Sequence, residues 1–167
     1  MLVNKRQLLG MAALALAFTA APALADSTVN VKLWDKGGMM DMSKNMGMGM
    51  GMKADMKQAI MGITLDKKAV PAGKVTLKAI NTSKETVHEA IIVRVDNKDA
   101  LLPYNDNENR VNEDAANAET GELGEVSELD PGKSGSLTVN LKPGLYVIYC
   151  NIPGHYMAGM WTTLQVK

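Results

Sequence analysis

Apolar and polar residues alternate over much of the chain, with the period of two expected of strands that bury one face. Val29, Val31 and Leu33 alternate with Asn30 and Lys32, and Trp34 extends the run. Ile63-Thr64-Leu65 restarts the pattern. Lys74 to Ile80 places Val75, Leu77 and Ala79 on one face. Val87 to Val95 is rich in β-branched residues and reads as a further strand. Ser136 to Leu141 alternates again, Leu145 to Cys150 follows, and Trp161 to Val166 is the last run. Pro71-Ala72-Gly73, Asn81-Thr82-Ser83, Asp130-Pro131-Gly132-Lys133 and Lys142-Pro143-Gly144 separate the runs as turns. Many short strands with Pro/Gly turns predict an all-β sandwich or barrel.

Two stretches break the alternation. Gly37 to Met61 carries nine methionines: Met39, Met40, Met42, Met46, Met48, Met50, Met52, Met56 and Met61. Gly47, Gly49 and Gly51 disfavour a helix and would weaken a strand. Residues 37–61 therefore read as a long, flexible Met-rich insertion between the first two strands, with a short helix expected over Ala54 to Met61. Asn97 to Val126 is polar, acidic and Asn-rich. It reads as an acidic loop over the surface, with a helical turn expected near Val111 to Ala118.

The N-terminus changes the picture of compartment. Lys5 and Arg6 precede an apolar run from Leu8 to Ala21, and Ala23-Leu24-Ala25 offers an A-x-A cleavage site. This is the pattern of a secretory signal peptide over residues 1–25. The run is short for a membrane span, so no stable insertion is expected after cleavage. Residues 26–167 then form one domain. Removing Lys5 and Arg6 from 18 basic residues leaves 16 against 18 acidic, a formal charge of −2. Nothing in that balance suggests a nucleic-acid partner. Positive charge gathers between Lys53 and Lys98, negative charge between Asp99 and Asp130, an asymmetry able to orient a charged partner.

The candidate chemistry lies in Tyr149-Cys150-Asn151-Ile152-Pro153-Gly154-His155-Tyr156-Met157-Ala158-Gly159-Met160. Cys150 is the only cysteine, and His155 and His88 are the only histidines. A lone thiol in an oxidising compartment is a liability unless it is buried, paired between chains or bound to metal. One thiolate, two imidazoles and a weak thioether make the ligand set of a blue-copper electron-transfer site. His88, Cys150, His155 and Met160 are the candidate ligands. Met157 shares the loop but sits off the spacing.

Three features together resemble a known family. Val70-Pro71-Ala72-Gly73-Lys74-Val75-Thr76-Leu77 leads to His88-Glu89, Leu141-Lys142-Pro143-Gly144-Leu145-Tyr146 leads to Cys150, and the loop reads C-x4-H-x4-M. The chain resembles a cupredoxin of the plastocyanin/azurin superfamily, with loop spacing closest to rusticyanin, auracyanin and sulfocyanin-like members. The resemblance covers roughly Ile63 to Lys167 and the first strand. It implies a Greek-key β-sandwich with one type 1 copper at its pole. By position, His88 and His155 match the imidazole ligands, Cys150 the thiolate and Met160 the axial thioether. Plastocyanins and azurins usually carry Asn after the first ligand histidine; this chain has Glu89. The family also implies an apolar patch around an exposed edge of His155, where redox partners dock.

The leading expectation is a monomeric periplasmic carrier cycling between Cu(II) and Cu(I). The alternative is a copper-trafficking or copper-tolerance protein whose Met-rich loop binds additional Cu(I), since thioethers are soft ligands. The loop's methionines can equally be apolar filler. An enzyme is not expected, because two histidines cannot supply both a type 1 site and a further catalytic copper. A CuA centre needs two cysteines and is excluded.

Overall fold

The computed structural model describes residues 26–37, 47–53, 55–120 and 123–167. The expected signal peptide, and Met39, Met40, Met42 and Met46 of the Met-rich insertion, lie outside the described residues. Among the described residues, no helix is long and apolar enough to cross a membrane.

The strands form an all-β, Greek-key sandwich. One sheet holds four strands: β1 (Ser27–Asp35), β2 (Met61–Leu65), β4 (Gly73–Asn81) and β9 (Ser134–Leu141). Their spatial order is β2-β1-β4-β9, with β1 and β4 parallel and the other pairs antiparallel. The second sheet runs β3-β11-β10-β5-β8. Its strands are β3 (Ala69–Val70), β5 (His88–Val95), β8 (Glu125–Leu129), β10 (Gly144–Tyr149) and β11 (Trp161–Val166). The alternation along β4 is realised as expected: Val75, Leu77 and Ala79 are buried, while Lys74 and Lys78 face water.

β5 and β10 are apolar on both faces, and the structure shows why. Ala90, Ile92, Tyr146, Ile148 and Cys150 point into the core between the sheets. Ile91, Val93, Val95, Val147 and Tyr149 point the other way, into a second core. That second core is roofed by the excursion after β5, through Leu102, Val111 and Ala116, and by Met50 of the Met-rich segment. Burial on both faces removes the period of two and leaves continuous runs such as Ala90-Ile91-Ile92-Val93.

The excursion is therefore more ordered than a surface loop. It contains a small hairpin, β6 (Tyr104–Asn105) with β7 (Arg110–Val111), and helix α1 (Glu113–Thr120). Asn112 caps that helix, its Oδ1 accepting from Ala115 N–H at 3.1 Å. The excursion also ends earlier than expected. Glu125–Leu129 is strand β8, paired antiparallel with β5.

The described part of the Met-rich insertion, Gly47 to Met52, is seated on the protein rather than loose. Met48 and Met50 are buried. The short helix expected beyond it is a single 3-10 turn, Met56–Gln58, opened by Asp55 accepting from Lys57 N–H.

Candidate metal centre

Strand register brings the two distant parts of the site together. β5 and β10 are antiparallel neighbours, with Ile92 opposite Ile148 and Ile91 opposite Tyr149. The start of β5 therefore lies beside the end of β10. Side chains alternate across a strand, so His88 shares the inner face with Ala90 and Ile92, and Cys150 shares it with Ile148. Both reach the same pole of the sandwich from the same side.

The ligand loop is then folded back on itself. His155 N–H donates to Ile152 O at 2.9 Å, and Met160 N–H donates to His155 O at 3.0 Å. Cys150 N–H donates to Met160 O at 3.1 Å and closes the loop at its base. Gly154 and Gly159 take φ of 85° and 99°, the left-handed backbone that favours glycine.

The result is a tight cluster. His88 Nδ1 and His155 Nδ1 are 3.3 Å apart, and Cys150 Sγ is 3.3 Å from His155 Nδ1. His88, Cys150 and His155 each offer one ligand atom, all within 4.8 Å of one another, and all three residues are buried. Atoms at this spacing leave roughly 2 Å from each to a common centre, the length of a metal–nitrogen or metal–sulfur bond. Three lone-pair atoms converge with no proton donor from a fourth group between them. A soft thiolate with two imidazoles is the donor set that suits copper, and the residues fit that ion.

Burial tunes each group. It lowers the pKa of His155 to about 4, with His88 adding repulsion and Asp35 opposing it. It also lowers that of His88, against an opposing pull from Asp35. Both imidazoles are thereby neutral and available as ligands. Burial pushes the Cys150 thiol up to about 12, against hydrogen bonds from the backbone N–H groups of Glu89 and Ile152. A cation in the cluster would offset that penalty and hold the thiolate.

Sequence reasoning missed three neighbours. Asp35, at the end of β1, accepts from His88 Nε2 at 3.3 Å, and both side chains are buried. Burial works to raise the Asp35 pKa, but its hydrogen bonds, led by that from Thr86, outweigh it and keep the carboxylate ionised. Asn151 clamps the excursion to the loop. Its Oδ1 accepts from Val111 N–H at 2.7 Å, and its Nδ2 donates to Val111 O at 2.9 Å and to Glu113 at 2.6 Å. Asn151 N–H itself donates to the Glu89 carboxylate at 2.8 Å. The expectation that N–H groups near Asn151 and Glu89 donate to the sulfur is met by Glu89 and by Ile152. Burial raises the Glu89 pKa to about 7, opposed by the Asn151 N–H and helped by Glu125, Glu113 and Glu128.

Two expectations about the surroundings need restating. His155 keeps only 7% of its surface exposed, so no broad imidazole edge is displayed. The strap Gly47 to Met52 lies against its neighbours. Met48 N–H donates to Met157 O at 2.8 Å, Met50 N–H donates to the Tyr156 hydroxyl at 2.9 Å, and Trp161 Nε1 donates to Met48 O. Met160 is wholly buried in the inner core, in the company of Cys150.

The sulfocyanin (SoxE) domain family matches residues 66–167. The chain belongs to the sulfocyanin family. Among solved structures, rusticyanin from Thiobacillus ferrooxidans superposes with a TM-score of 0.51 at 18% identity, over 84% of this chain and 76% of that one. A reduced rusticyanin gives 0.51 at 20% identity, over 84% and 78%. Auracyanin from Roseiflexus castenholzii gives 0.48 at 23% identity, over 87% and 99%. At these identities the rusticyanin matches establish the fold, that of a blue-copper cupredoxin domain. No curated protein matches the sequence. Proteins of this class are electron carriers and not enzymes, and this sulfocyanin-family chain is placed with them.

Proposed function

We propose that the chain is a type 1 copper protein that carries single electrons between redox partners. The observation that carries this reading is the buried triangle of His88, Cys150 and His155. In it, His88, Cys150 and His155 are the strong ligands and Met160 the weak axial one. Bound copper supplies a one-electron couple, Cu(II)/Cu(I). The chain's own residues do the rest. β5 and β10 fix two ligands on a rigid sheet, and the hydrogen-bonded loop fixes His155 and Met160. Asp35 orients His88. The Glu89 and Ile152 N–H groups spread the sulfur's charge. Ligands held this firmly have little room to move when the charge on the metal changes, which favours fast electron exchange.

The visible spectrum of the copper-loaded protein tests this. An intense thiolate-to-copper band, lost in Cys150→Ser, is the expected result. Folded, copper-loaded protein without such a band overturns the reading. Loss of the band's position and width on Met160→Leu, with the band itself kept, is expected of an axial ligand.

In this reading residues 1–25 direct export to the periplasm and are cleaved after Ala25. The mature chain is a monomer, and redox partners dock near His155. N-terminal sequencing of the exported protein tests the first point. A second reading, copper trafficking or tolerance, is favoured by one specific observation. Met52 and Met56, in the segment seated on the ligand loop, are 47% and 39% exposed, thioethers displayed to solvent where a core would hide them. Under that reading the protein takes Cu(I) beyond one equivalent.

A further inference from the structure

Met157 belongs to the ligand loop but has no part in the type 1 ligand set. Its surroundings give it another. Its Sδ lies 3.0 Å from the point where a Cβ on Gly49 would sit. Its carbonyl accepts from Met48 N–H at 2.8 Å. On the other side of Met48, the corresponding point on Gly159 lies 3.2 Å from Met56 Cε and 3.6 Å from Met48 Cβ. Gly49 and Gly159 thus open gaps that a side chain would close, and methionines from three separate elements occupy them: the strap, the 3-10 turn and the ligand loop. The three differ in access. Met48 is buried, Met157 is half-buried and Met56 is 39% exposed, so the group runs from the surface inward. Met50 and Met61, by contrast, are wholly buried and pack as apolar filler.

Thioethers are soft, uncharged ligands that select Cu(I) over harder cations. We propose that Met48, Met56 and Met157 form a second metal site, a thioether site for a soft monovalent cation such as Cu(I), built against the outer side of the ligand loop. The site deepens the copper-handling reading and does not depend on the type 1 ligands. It assigns the extra cation to the seated end of the Met-rich segment and to one residue outside that segment. Met157 stands two residues after His155 and three before Met160, so a cation held there sits beside the type 1 donors without sharing them.

The test uses protein labelled with 13C at the methionine methyls, loaded with one equivalent of copper and reduced. Further Cu(I) is added anaerobically against a chromophoric Cu(I) chelator. One additional equivalent is expected, with the methyl signals of Met48, Met56 and Met157 moving together and those of Met50 and Met61 unmoved. The double variant Met56→Leu, Met157→Leu should weaken that equivalent at least tenfold while keeping the thiolate-to-copper band. No uptake beyond the first equivalent overturns the proposal. So do shifts confined to Met39 through Met46 or to Met52, and so does a double variant that titrates like the parent. Absence of the thiolate band defeats the type 1 reading alone, since the methyl shifts still decide the second site.

Discussion

The Asp35 carboxylate and the His88 imidazole form a buried pair, Oδ2 to Nε2, at 3.3 Å. Burial keeps His88 neutral, so Nε2 carries the proton toward Asp35 and the Nδ1 lone pair faces Cys150 and His155. A carboxylate behind a ligating imidazole fixes its tautomer and raises its basicity. Asp35→Asn keeps an acceptor but removes the charge. Copper affinity should fall, by about 10–100-fold on the usual scale of such partners. The reduction potential should rise, because losing a nearby negative charge favours Cu(I). Competitive copper titration and a redox titration measure both. Unchanged affinity and potential would remove Asp35 from the site.

The Glu89 carboxylate ties the two halves of the site by accepting Asn151 N–H at 2.8 Å. Asn151 is buried, so Glu89→Ala leaves its N–H without a partner. Stranding a buried donor costs about 1–3 kcal/mol. Glu89→Gln retains an acceptor and should recover most of that loss. Urea unfolding of the two variants measures the difference. If Ala and Gln unfold at the same midpoint, the bond to Asn151 is not what ties the loops.

The framework was legible in the sequence wherever a strand had one wet face. β1, β4, β9 and β11 follow their alternation closely, and β11 begins and ends where the pattern does. Legibility failed where partners are distant. β8 is short and mostly exposed, and only its pairing with β5 makes it a strand. β3 is two residues held by β11. The convergence of His88, Cys150 and His155 was expected from residue types and spacing. Asp35 was not, because it is one of many acidic residues and nothing local marks it. Its role appears only when β1 is laid beside the start of β5. Met50 was read with its flexible neighbours, since glycine spacing predicts looseness. A wholly buried side chain against Tyr149 and Tyr156 outweighs that local preference.

The strap itself can be displaced by one methyl group. A Cβ on Gly49 would lie 2.7 Å from Tyr156 Cε1 and 3.0 Å from Met157 Sδ. The tyrosine ring is held by Met50 N–H and cannot yield freely. Gly49→Ala should therefore lift the strap or strain the ring, at about 1–3 kcal/mol for overpacking. Lifting it uncovers the loop around His155, so electron exchange with a small inorganic oxidant should quicken. Stopped-flow oxidation and thermal unfolding, read together, separate the two responses. A variant with unchanged stability and unchanged exchange rate would mean that the strap does not cover the loop in solution.

Tyr149 precedes Cys150 and is wholly buried on the outer side of the sheet, and its hydroxyl has no hydrogen-bond partner. Its ring packs edge-on against Tyr156, with centroids 5.9 Å apart. Burial, with Glu113 and Glu89 nearby, pushes its pKa well above the usual tyrosine range, so the group stays neutral. A buried hydroxyl without a partner costs about 1–3 kcal/mol, and removing it at constant shape can be neutral or stabilising. Tyr149→Phe keeps the ring and its packing. The variant should be at least as stable as the parent, with its urea midpoint unchanged or higher and its m-value unchanged. The thiolate-to-copper band should also persist, since Cys150 faces the opposite core. A clear drop in the midpoint would show that the hydroxyl is bonded after all, and a lost band would show that the two cores are not independent at this pole.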